Sequence, residues 1–137
     1  MNTAVIVVIV IILVFVLLSI YLQFRDNFEP PDPMIESLKR ELAAVDPRIM
    51  NIKVSKGDKS YTINKRHIYL CMKDENGEYY DRDSLYMVLI HEFAHVLTKS
   101  IGHTTEFDQN FKTLMNKAIK LGIYDPNHQM PDNYCNY

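Results

Sequence analysis

The chain has 137 residues, room for one globular domain, and 47% of them are apolar. Its net charge is −2, or −3 without Arg25, and the Lys and Arg residues are scattered, so there is no basic field to attract nucleic acid. Two cysteines build no disulfide framework; a bridge between Cys71 and Cys135 is possible, but nothing in the sequence requires it.

From Ala4 to Leu22 the sequence is uncharged and apolar apart from Ser19 and Tyr21. About 20 residues at ~1.5 Å each match the roughly 30 Å hydrocarbon core of a bilayer. A cleaved signal peptide has a shorter apolar core of about 7–15 residues, preceded by Lys or Arg and followed by a small-x-small cleavage site. The amino end here has no Lys or Arg, and Ile20-Tyr21-Leu22-Gln23-Phe24 has no such site. A retained, single-pass membrane anchor over residues 1–25 is therefore expected. Arg25, at its carboxyl end, favours the cytoplasmic side for the soluble domain.

Residues 26–33, with Pro30, Pro31 and Pro33, form a stiff linker to a domain over 34–137. Asp32 suits a helix N-cap with Pro33 at the first position. Ile35, Leu38, Leu42 and Val45 then share one face of a helix that runs to about Val45. Three strands are expected at Ile49–Ser55, Ser60–Asn64 and His67–Met72, joined by tight turns at Lys56–Lys59 and Asn64–Arg66. The third is the candidate cleft edge, where unpaired backbone groups would meet an extended peptide. His67 lies outside any ligand spacing and reads as a surface histidine. Asp74 to Glu78 lacks the alternating ligands of a calcium loop and reads as a polar turn around Asn76-Gly77.

The chemistry lies in Asp83 to Phe107, capped by Asp81, Asp83 or Ser84. His91-Glu92-Phe93-Ala94-His95 has the H-E-x-x-H spacing. Positions i and i+4 share a helix face, so both imidazoles can grip one metal ion, while Glu92 can take a proton from a water beside it. The rest of Leu85 to Leu97 is almost wholly apolar, so the helix should be buried nearly all round. Imidazoles and a carboxylate buried there cost several kcal/mol unless paired or bound to metal. A catalytic zinc takes three protein ligands and keeps one open position. His103 is the natural third, because Gly102 can end the helix in a left-handed turn and swing the next residue back.

A last helix starts at Thr104 or Thr105 and presents Phe107, Phe111, Leu114, Met115, Ala118 and Leu121 to the core, with Gly122 as C-cap. Phe107 lies one turn beyond His103 and can pack it in place. The tail from Ile123 contains Tyr124, His128 and Tyr134, each a possible hydrogen-bond donor to a transition state.

At H-E-F-A-H followed by G-H-T-T-E-F the chain resembles small zincins of the WLM and SprT-like type. The segment from Ile68 to Asp81 is similar to compact predicted metallopeptidases of large DNA viruses. The resemblance implies His91, His95 and His103 as zinc ligands and Glu92 as general base. The gap from His95 to His103 is longer than in metzincins, and the DNA-binding parts of SprT-like proteins are absent, so no nucleic-acid role is carried over.

The expectation is an α+β chain: a transmembrane helix, then a zincin-like domain of one helix, a three-stranded sheet, the H-E-x-x-H helix and a C-terminal helix. It is a membrane-anchored Zn²⁺ metallopeptidase acting on a protein or peptide. One rival is a membrane-tethered structural or interaction protein whose zinc has a fourth ligand such as His128 or Cys135. The other is a deformylase-like amidase with Cys71 on the zinc.

Overall fold

The computed structural model describes residues 2–27 and 30–136. The chain divides into two compact units, residues 1–31 and 32–137. In the first, α1 (Thr3–Asn27) is a single helix with its apolar side chains exposed all round. Its 23 residues from Thr3 to Arg25 are long and apolar enough to cross a membrane, about 34 Å at ~1.5 Å per residue. The Ser19 hydroxyl donates to the Phe15 carbonyl at 2.9 Å, which spares the apolar surface an unpaired donor. Phe28 and Glu29 of the expected linker lie outside the described residues.

The second unit begins with α2 (Pro33–Leu42), where the Asp32 carboxylate accepts the Met34 N–H at 2.8 Å. The helix stops three residues short of Val45, and a 3₁₀ turn over Pro47–Asn51 comes next. This overturns the strand expected to start at Ile49. Asp46 caps the turn through the Arg48 N–H at 3.0 Å, and Pro47 fixes the first φ. Ile49, fully buried, anchors the turn in the core.

The sheet is β1 (Lys53–Lys56), β2 (Tyr61–Ile63) and β3 (His67–Leu70), in the order β1-β3-β2. β1 runs parallel to β3, and β2 antiparallel to it. β3 is thus central, because Ile68 and Leu70 bury completely. It has no open edge, which overturns the edge expected at His67–Met72; β1 and β2 are the outer strands. Pairing also sets the faces. Val54 and Thr62 both lie opposite Ile68 and share its inner face; Ser55 and Tyr61 lie opposite Tyr69 on the outer face. There Tyr69 stacks on Tyr61 at 4.8 Å and on His67 at 4.2 Å.

Two helices complete the unit, α3 (Arg82–Leu97) and α4 (Thr105–Lys120). Asp81 caps α3 by accepting the Ser84 N–H at 2.9 Å; Thr104 caps α4. α4 ends in a Schellman arrangement, with Gly122 at φ 72° and the Ile123 N–H on the Ala118 carbonyl at 2.9 Å. Leu38, Leu42, Ile68, Leu70, Leu85, Leu89, Ile90 and Phe93 form the centre of the core. Each is worth about 1.5–3 kcal/mol of burial, and together they fix α3 against the sheet.

Candidate metal centre

α3 carries His91 and His95 one turn apart. The helix does not end at Gly102, as expected, but at Leu97, with Thr98 as cap. The Thr98 hydroxyl turns back to the Ala94 carbonyl at 2.7 Å, and residues 99–104 form a loop to α4. Gly102 instead bends that loop just before His103, at φ 84°. Glu106 holds the loop by accepting the Lys99 N–H at 3.0 Å and the Ser100 hydroxyl at 3.1 Å. Those bonds keep the Glu106 carboxyl below its usual range.

The loop returns His103 to the helix. Its Nε2 lies 3.1 Å from Nε2 of His91 and 3.2 Å from Nε2 of His95. Three nitrogens on tetrahedral bonds of ~2.05 Å to one zinc would stand about 3.3 Å apart; both His103 separations match this, and all three nitrogens lie within 4.8 Å of one another, so the cluster could hold a metal ion. Three converging ring nitrogens have too few protons to satisfy one another, whereas a shared cation would use every lone pair. The Phe107 ring backs the cluster, 4.3 Å from His95, 4.9 Å from His103 and 5.0 Å from His91 between centroids.

Burial, then the neighbouring His95 and His103, lowers the His91 pKa to about 4, which keeps this ring neutral, the form a metal would require. His95 is lowered by burial, His103 and Lys65. Glu92, only 7% exposed, is pushed up by burial, against a Thr62 hydrogen bond and the His103 charge that favour its ionised form.

The rings and Glu92 line a cleft of about 620 Å³. β2 and its following turn supply the opposite wall through Ser60, Tyr61, Thr62, Asn64 and Lys65, and Ile101 stands at the rim, 92% exposed. The tail braces this wall. Cys135 is disulfide-bonded to Cys71 (Cα–Cα 6.4 Å), the Tyr134 hydroxyl donates to the Cys71 carbonyl, and Ser60 accepts the Cys71 N–H at 2.8 Å.

Other sequence candidates lie elsewhere. The disulfide removes Cys71 and Cys135 as ligands, and with them the deformylase-like reading. His128 sits at the start of α3, 3.0 Å from the Ser84 hydroxyl, and Tyr124 packs beside it. Ser84 precedes His91 by about two turns, roughly 10 Å along the helix, so neither reaches the cluster. His67 bonds Ser55 at 2.8 Å on the outer sheet face. Sequence reading misses Thr62 and Lys65. Alternation along β2, once its register with β3 is known, turns Thr62 inward; no local signal marks Lys65.

No family model matches the chain, and no solved structure matches it. It is similar to "Uncharacterized protein 136R" of Invertebrate iridescent virus 6, at 41% identity over 113 residues, 79% of this chain and 64% of the relative. It is also similar to "Uncharacterized protein 042R" of Invertebrate iridescent virus 3, at 43% identity over 86 residues, 62% of this chain and 54% of the relative. The chain thus spans 64% and 54% of the length of these curated relatives.

Proposed function

We propose that this chain is a zinc-dependent peptidase of zincin type, held at a membrane by α1. One observation carries the reading: a nearly buried carboxylate, Glu92, adjoins three converging imidazoles in a cleft bordered by a sheet edge. His91, His95 and His103 would hold the metal. A bound zinc ion supplies a Lewis acid and lowers the pKa of a water to about 7. Glu92 takes a proton from water in the cleft and delivers it to the departing amine. Burial favours that exchange by raising its proton affinity. β2 supplies the edge along which an extended peptide can pair through its backbone.

A structural zinc site takes four protein ligands. Among the described residues the cluster has three, which supports the catalytic reading over the structural one. Sidedness draws on opposing observations: Arg25 favours the cytoplasmic side, whereas a disulfide suits an oxidising compartment.

The test compares Glu92→Gln with His91→Ala in the full chain. Glu92→Gln should lower peptide hydrolysis by about 10²–10⁴-fold, the usual worth of a general base, with zinc retained. His91→Ala should lose both zinc and hydrolysis. Equal metal loss in the two variants refutes the assigned roles.

A further inference from the structure

We propose that Lys65 is a positioning residue for the metal centre: its ammonium ties the end of the ligand helix, and the loop leading to His103, to the turn after the cleft's edge strand. The inference rests on the metal reading of the three histidines. Asn64 and Lys65 both have left-handed backbone, at φ 50° and 54°, a conformation disfavoured for residues other than glycine. It belongs to the tight turn that joins β2 to β3 beside the end of α3.

The Lys65 ammonium donates to the carbonyls of His95 (3.3 Å), Ser100 (2.9 Å) and Thr98. An ammonium has three N–H donors, and three carbonyls meet them. The His95 carbonyl belongs to the last turn of α3, where the helix leaves its acceptors unpaired and the dipole favours a cation. His95 carries a ligand ring on the same residue, and Ser100 lies three residues before His103. One atom therefore sets the spacing between the helix ligands and the loop ligand.

Glu106 grips the same loop from the far side, through the Lys99 and Ser100 N–H groups at 3.0 and 3.3 Å. Ser100 is thus clamped between a cation and an anion contributed by two different elements. Lys65 lies outside the hydrophobic core, so its loss should fall on ring geometry rather than on folding.

The experiment uses the full chain in detergent micelles, with wild type, Lys65→Met and Lys65→Arg. Zinc affinity is measured against a chromophoric chelator, Co²⁺ absorption reports the ligand geometry, and unfolding without metal reports the fold. Lys65→Met should weaken zinc binding about 10–100-fold, the range for groups that orient a ligand, and shift the Co²⁺ bands, with metal-free unfolding near wild type. Lys65→Arg keeps the charge, but its planar fork does not converge on three carbonyls, so it restores only part. If Lys65→Met does not fold, the Co²⁺ bands of Lys65→Arg decide. Wild-type affinity and bands in Lys65→Met overturn the proposal, as does complete rescue by Lys65→Arg or an affinity loss no larger than the loss of metal-free stability. A wild-type chain that binds neither metal refutes the metal reading itself, a separate result.

Discussion

The Thr62 hydroxyl lies 2.7 Å from Oε2 of Glu92 and 3.2 Å from the Glu92 carbonyl oxygen, so the sheet edge fixes the acid that adjoins His91. A bond to the ionised carboxylate lowers its pKa against the raising effect of burial. Thr62→Val keeps the shape and removes the donor. The Glu92 pKa should rise further, moving the acid limb of the pH–rate profile to higher pH. Turnover should fall about tenfold, short of the 10²–10⁴ expected for losing the base itself. Zinc content should match wild type. An unmoved acid limb in the pH–rate profile contradicts this role for Thr62.

Acid should destabilise the metal-free protein through His91. Its folded pKa of about 4 lies below the ordinary 6.5, so between those values the unfolded chain binds more protons than the folded one. Stability therefore rises with pH across that window, is complete above about 6.5, and is lost towards pH 4. Denaturant unfolding of the chelator-treated chain at several pH values measures it. His91→Gln should flatten the slope; an unchanged slope would assign the dependence to other groups.

The Cys71–Cys135 bridge spans 64 residues and joins the tail to the end of β3. Removing a native bridge from a small domain costs about 2–5 kcal/mol. Cys135→Ser should lower stability by that order and speed amide exchange at Tyr61 and Thr62, because Ser60 and Tyr134 share contacts with Cys71. Thiol labelling in intact cells tests sidedness: an oxidised pair favours a non-cytoplasmic domain, and two free thiols the cytoplasmic side.

The sequence exposes the parts whose signals are local. An i, i+4 histidine pair on an apolar helix, Asp32 before Pro33, and Gly122 after α4 all rest on short-range rules. What it hides depends on pairing. The third strand reads as an edge because its apolar content is visible and its neighbours are not; that same content makes it central. Ile49 fits an alternating strand, but Asp46 and Pro47 wind it into a 3₁₀ turn. Gly102 suits a helix end, yet the helix stops at Leu97, where the Thr98 hydroxyl and the ammonium of Lys65, 30 positions before His95, meet the Ala94 and His95 carbonyls. The disulfide likewise joins positions that no spacing rule connects.

If His103 joins His91 and His95 in a metal site, zinc content should depend on all three rings. Metal analysis of this chain compares wild type, Glu92→Gln and His103→Ala. One zinc per chain is predicted for the first two. His103→Ala should weaken binding by more than the ~10–100-fold typical of lost orienting groups. Wild-type zinc content and affinity in His103→Ala, or no zinc in the wild type, would rule out the three-histidine site.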